Sequence, residues 1–293
     1  MMKRVHDALP AAALVFNALV WGLSWWPLRE LQAQGLHPLW STALIYLLAL
    51  PLLLWRQDGS VWRRQPLLWG LALAAGLTNV GFNWAVTVGD VVRVVLLFYL
   101  MPVWATLLAW PMLGERPSPA ALARLGLALL GVSLVLKTPD SDWPLPASLA
   151  DGLAIAGGAC FALTNILLRK LRQTAESARM LAMFGGGLAM AVVAGLLGAS
   201  VDLVEAPVRL GAEALMLALL TGLALLLANW GLQYGAARLA AATTALVMLT
   251  EVVFASLSSV ALGAAQVNTQ TLIGGLMILL VALWAALAGE HHP

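Results

Sequence analysis

Residues 229–236 read NWGLQYGA, and residues 79–86 read NVGFNWAV. At an offset of 150 they superpose Asn79 on Asn229, Gly81 on Gly231, Asn83 on Gln233 and Trp84 on Tyr234. Each stretch sits in a run apolar enough to span a bilayer, where an amide without a partner is costly. Matched polar positions in two such runs imply that the chain repeats itself. A second echo supports this: WGLSWWPLREL from Trp21 and FALTNILLRKL from Phe161 align at an offset of 140, with Leu23, Leu28, Arg29 and Leu31 recurring and Ser24 becoming Thr164. The ten-residue change in offset fits a longer loop around Val201 to Leu210.

Composition names the solvent around these amides. The chain has 293 residues, 61% hydrophobic and 10% charged, with a mean hydropathy of +0.89; a soluble domain carries about a quarter charged residues. The expected class is an all-α polytopic membrane protein whose surroundings are the lipid bilayer. A net charge of +2 is too small to suggest nucleic acid as a partner. The single cysteine, Cys160, lies in an apolar run, so neither a disulfide framework nor a cysteine metal site follows. Lys3 and Arg4 could open a secretory signal, but the small residues Ala11 to Ala13 precede the apolar run instead of following it, which reads as an uncleaved first span.

Windows of about twenty residues give ten apolar segments: Leu9–Leu28, Leu39–Trp55, Leu67–Val88, Val91–Leu113, Pro119–Leu136, Leu149–Leu168, Ala178–Gly198, Ala212–Gly235, Ala240–Leu262 and Thr271–Ala288. The stretch from Leu67 to Leu113 is too long for one crossing and is expected to fold back at Gly89-Asp90. With the echoes, this divides the chain into a short cytoplasmic N-terminal tail (1–8), a first five-helix repeat (9–138), a periplasmic linker (139–148), a second five-helix repeat (149–288) and a cytoplasmic C-terminal tail (289–293). Five is odd, so the second copy enters the membrane from the opposite face and the repeats are inverted. Of 16 basic residues, twelve fall on the side of the N-terminus, among them Arg63, Arg124, Arg172 and Arg238, and four on the other: Arg29, Arg93, Lys137 and Arg209. The positive-inside rule then makes both termini cytoplasmic.

Inverted repeats with a site near the bilayer midplane are a recurrent plan of secondary transporters. Asn79 and Asn83 are four apart, as are Asn229 and Gln233, so each pair shares a helix face. Asn17, Trp21, Ser24 and Trp25 follow similar spacing on helix 1, and helix 6 offers Phe161, Thr164 and Asn165. Two readings stand: a polar cavity between the halves, or amides bonded across helix contacts that Gly81 and Gly231 bring close. On the first, the substrate-binding residues are Trp21, Ser24, Asn79, Asn83, Trp84, Tyr99, Thr164, Asn165, Asn229, Gln233 and Tyr234. Aromatic faces would hold an apolar or cationic group, and amides would bond ammonium and carboxylate. Pro102 is expected to kink helix 4. Glu251, the acid placed near the middle of a span, serves either proton coupling and ammonium binding or a cross-helix bond between helices 4 and 9. Helices 5 and 10, free of ionisable groups at midspan, belong to packing or a dimer seam, with the oligomeric partner open.

Rival classes are poorly served. His6, His37, His291 and His292 fall at ends or loops, neither H-E-x-x-H nor G-x-S-x-G occurs, and no pair of membrane carboxylates is visible, so no catalytic residue, metal or cofactor is expected. Nothing resembles the repeated ring of a channel filter.

Longer stretches carry a family resemblance. VFNALVWGLSWW, LMPVWATLLAWPMLGERPSPAALARLGLALLGVSLVL and LTEVVFASLSSVALGAAQVNTQTLIGGLMILL, with the order of ten short helices in two halves, resemble the drug/metabolite transporter superfamily and, within it, the EamA-type exporters. The first-repeat pattern is carried by Pro102, Gly114-Glu115, Gly126 and Gly131. The second half departs from it, with Val252 where a proline usually follows the acid and Ala264-Ala265 in place of Gly-Glu. The aromatic-rich helices 1, 3 and 4 look most similar to the YddG group. That likeness implies export of aromatic and other neutral amino acids across the bacterial inner (cytoplasmic) membrane by a multi-pass protein; cationic or amphipathic drugs are the alternative cargo.

Overall fold

A computed structural model describes residues 2–54, 59–114, 118–137, 145–207, 209–236, 238–239, 244 and 247–288. Among these, every regular element is helical. The helices are α1 (Met2–Leu23), α2 (Trp25–Ala33), α3 (Pro38–Ala49), α4 (Pro51–Leu54), α5 (Ser60–Arg64), α6 (Leu67–Val88), α7 (Val91–Phe98), α8 (Met101–Leu113), α9 (Pro119–Leu136), α10 (Leu149–Lys170), α11 (Glu176–Ser200), α12 (Ala212–Ala236), α13 (Thr250–Ala261) and α14 (Thr269–Ala288). Side-chain chemistry sets their ends. The Ser24 hydroxyl donates to the Trp21 carbonyl at 2.7 Å, tightening the turn that divides α1 from α2. Asp90 caps α7 by accepting from the Arg93 amide at 2.9 Å, and Ser148 caps α10 by accepting from Asp151 N at 3.1 Å. The expected reversal at Gly89-Asp90 is therefore a built turn between α6 and α7.

Among the described residues, seven stretches are long and apolar enough to cross a membrane: Leu9–Ala33, Leu67–Val88, Val91–Met112, Pro119–Leu136, Leu149–Lys170, Glu176–Ser200 and Ala212–Ala236. Three shorter apolar helices, Pro38–Ala49, Thr250–Ala261 and Thr269–Trp284, occupy the second, ninth and tenth expected segments. The chain is a multi-pass membrane protein. The beginning of the ninth segment (240–243), most of the linker (139–144), Glu115 and the tail 289–293 lie outside the described residues. Helix α1 starts at Met2, so residues 2–8 are helical and lead into the apolar stretch that begins at Leu9.

Helix α6 is the most enclosed span, with 72% of its apolar stretch buried, and α9 the least, with 33%. The difference follows from neighbours: α6 packs along α10 and α11, whereas α9 packs mainly on α14. The other extensive pairings are α1 with α12 and α13, α3 with α11 and α12, and α10 with α7 and α8. Close approach requires glycine at two related places. A Cβ on Gly81 would lie 2.8 Å from the Leu153 carbonyl of α10, and one on Gly231 would lie 2.9 Å from the Ala13 carbonyl of α1. Outward-facing leucines, valines and tryptophans such as Leu130, Leu197, Leu220 and Trp69 remain exposed, as a surface facing acyl chains should be.

Candidate transport site between the chain halves

Turns precede a helix start at neighbouring places in the two halves, at Tyr99-Leu100 and, 150 residues after Tyr99, at Leu249. Helix α7 stops at Phe98, the chain turns through Tyr99 and Leu100, and α8 starts at Met101. In the other half a turn at Leu249 precedes α13, which starts at Thr250. Leu100 (φ −66°, ψ −4°) and Leu249 (φ −62°, ψ −18°), the residues just before α8 and α13 and 149 apart, hold nearly the same conformation. Pro102 therefore sits in the first turn of a new helix, where its missing N–H leaves no bond unmade, and the chain breaks just before it.

At these turns the two halves meet through polar groups. The Tyr99 hydroxyl lies 3.2 Å from Glu251 Oε2 and 3.2 Å from the Met248 carbonyl. Glu251, in the first turn of α13, is buried. Aromatic rings from three further helices converge nearby. Trp21 of α1 meets Phe82 of α6 edge-on at 6.3 Å, Phe82 meets Phe98 at 4.8 Å, and Phe98 meets both Tyr99 at 6.4 Å and Phe161 of α10 at 5.4 Å. The start of α2 is tied to α13 by the Trp25 indole, which donates to the Ser258 hydroxyl at 3.0 Å. The result is an apolar, π-rich wall beside one acid, a combination able to hold an amphipathic amine or to carry a proton.

The amides go elsewhere. Asn79, 8% exposed, donates to the Ala75 carbonyl at 2.8 Å and accepts from the Tyr46 hydroxyl of α3 at 2.5 Å. Asn83, 2% exposed, donates to the Thr42 hydroxyl of α3 at 3.2 Å. These contacts match the cross-helix alternative for the first pair. Asn229 donates to the Leu225 carbonyl of its own helix at 2.9 Å, and Thr164 to the Cys160 carbonyl at 2.9 Å. Gln233 and Tyr234 are half-buried, with the Arg238 guanidinium 3.8 Å over the Tyr234 ring. Trp84 is half-buried against His37 at 5.1 Å, and Asn165 is exposed. Of the expected set, the structure gathers Trp21, Tyr99 and Glu251 into one place, with Ser24 at the adjoining turn. The phenylalanines Phe82 and Phe98 escaped notice because an apolar ring in an apolar span looks like any other core residue.

Residues 9–137 match the model of the EamA-like transporter family. The match lies in the first half of the chain and makes that stretch similar to a family of membrane transporters. A solved crystal structure of a protein is similar over 96% of this chain and 97% of its own length, at 18% identity and a TM-score of 0.56. That likeness speaks for the fold. No curated protein matches the sequence.

Proposed function

We propose that the chain is a secondary transporter that exports aromatic and other neutral amino acids by alternating access between two inverted five-helix halves. The observation that carries this reading is the Tyr99–Glu251 contact, set in the wall of Trp21, Phe82, Phe98 and Phe161 where the α7–α8 turn of one half meets the start of α13 in the other. Broken helices at a repeat interface recur as substrate sites because they free backbone groups in the middle of the membrane. The inverted-repeat arrangement is supported by the glycine contacts. Gly81 and Gly231 are 150 apart, and the carbonyls they approach, Leu153 and Ala13, are 140 apart, the two offsets already found in the sequence. Helix pairing agrees: α1 lies on α12 as α10 lies on α6, and α1 on α13 as α10 on α7 and α8.

A second reading, export of amphipathic cations, is favoured by one fact. Among the described residues the Glu251 carboxyl is bonded to a phenol and not to a basic side chain, whereas the buried Asp151 carboxylate is already neutralised by Arg93. Counterflow of labelled substrate in proteoliposomes separates the two. Saturable exchange of a neutral aromatic amino acid supports the first reading; exchange confined to hydrophobic cations selects the second, and flux that does not saturate rejects a carrier. Impermeant labelling of a cysteine at Arg172 from the side opposite the N-terminus would contradict the ten-helix topology.

A further inference from the structure

One end of the bundle, where α2, α6, α9 and α13 finish and α7 and α10 begin, is tied by charged side chains that substrate binding leaves unexplained. Arg93 of α7 donates through Nε to Asp151 Oδ1 at 2.7 Å and through Nη2 to Oδ2 at 3.0 Å. Its guanidinium also reaches the last carbonyls of α9, at Val135 and Leu136. Asp151 is held in place from its own side, accepting from Ala147 N at 3.0 Å, and its side chain is only 2% exposed. Beside this pair, Arg29 of α2 donates to the carbonyls of Val86 at 3.1 Å, Gly89, and Ala264 at 3.4 Å. Asp90 Oδ2 accepts from Gln266 N at 2.9 Å. Arg93–Asp151 joins the first half to α10, and Arg29 and Asp90 join it to the loop after α13. The outer side of this network is a recess of about 780 Å³ lined by Arg29, Gln32, Thr87, Asp90 and Gln266.

The sequence does not repeat this chemistry at the opposite end. At an offset of 150, Asp90 and Arg93 correspond to Ala240 and Thr243, and at an offset of 140 Asp151 corresponds to Ala11. Of the four charged residues only Arg29 has a charged counterpart, Arg169. Exposure along α10 follows this asymmetry. Gly158, Ala162 and Asn165 share one face by their spacing; the first two are buried and Asn165, farther from the ion pair, is exposed. A Cβ on Gly158 would lie 2.5 Å from the Phe98 carbonyl, so α10 and α7 are in close contact where α7 ends.

We propose that Arg29, Asp90, Arg93 and Asp151 form a one-sided latch: the resting protein is closed at this end and accessible from the end that bears the N-terminus, and each cycle breaks the latch. The proposal rests on the alternating-access reading. A bidentate guanidinium–carboxylate pair is the strong form of the bond, and removing one partner of a buried pair leaves an uncompensated charge. Asymmetric ties of this kind bias a two-state equilibrium that the inverted repeats would otherwise leave nearly balanced.

The test places a single cysteine at Asn165 in a Cys160→Ser background and follows its reaction with an impermeant maleimide in proteoliposomes. Asp151→Asn should slow labelling about fivefold or more as the population shifts toward the state closed at the N-terminal side, and Asp151→Glu, which keeps the charge, should restore most of the rate. If Asp151→Asn does not fold, Arg29→Lys carries the same expectation, since it keeps the charge but loses the three-carbonyl fork. Unchanged labelling in a folded latch variant overturns the proposal. Counterflow in the parent protein reports separately on transport, so flat labelling with intact counterflow removes the latch alone.

Discussion

The Tyr99 hydroxyl lies 3.2 Å from Glu251 Oε2 and equally far from the Met248 carbonyl, bridging residues 152 positions apart in sequence. A phenol has one proton to give. It can satisfy both oxygens at once only when Glu251 is itself protonated and donates back to the phenol oxygen. When Glu251 is ionised, the phenol proton goes to the carboxylate and the carbonyl is released.

Glu251→Gln should therefore leave the fold intact while lowering transport several-fold and flattening its pH dependence, because the amide keeps the shape but cannot titrate. Tyr99→Phe should lower transport while keeping the pH dependence. Initial rates of counterflow across a pH series decide the matter. Wild-type rate and pH profile in the Gln variant would leave Glu251 a purely structural contact.

The amide pairs should separate by effect. Asn79→Leu removes the acceptor of the buried Tyr46 hydroxyl, and a stranded buried polar group costs about 1–3 kcal/mol. A lower melting temperature is expected, with transport per folded molecule changed little. Gln233→Leu, at a half-buried position, should do the reverse: near-normal melting with several-fold weaker transport. Equal melting losses in both variants would place Gln233 with the helix-packing amides.

Gly81→Val and Gly231→Val should both destabilise, since the new side chain meets a carbonyl of the facing helix at less than a normal contact distance. Overpacking of this kind costs about 1–3 kcal/mol. Thermal unfolding of the purified variants measures it. If one variant melts like wild type, the two helix crossings are not equivalent and the repeat symmetry fails at that point.

His37, at the start of α3, gives a pH prediction outside the membrane spans. Burial pushes its imidazole below the ordinary 6.5, partly offset by the nearby Glu205 carboxylate. A depressed value means that the unfolded chain takes up a proton before the folded one does. Stability should then fall as pH drops below about 6.5 and level off under the folded value. Melting curves from neutral to mildly acidic pH should show that slope in wild type and a shallower one in His37→Gln. An identical slope in both would remove His37 as its source.

Much of the fold was legible from local pattern. Runs of about twenty apolar residues must be helical in lipid because each backbone group needs a partner within its own segment, and this placed the apolar segments without knowledge of their neighbours. The echoes at 150 and 140 located Gly81 and Gly231, where contact distances leave room for glycine alone. Spacing could also say that Asn79 and Asn83 share a face. It could not say what that face meets, because a partner is chosen by how helices cross; α3 brings Tyr46 and Thr42 to those amides, while the α7–α8 turn brings Tyr99 to Glu251. The same limit hid the Arg93–Asp151 pair. Hydropathy placed both residues near helix ends, but their bond exists only because α7 and α10, 58 residues apart at these positions, begin side by side in three dimensions.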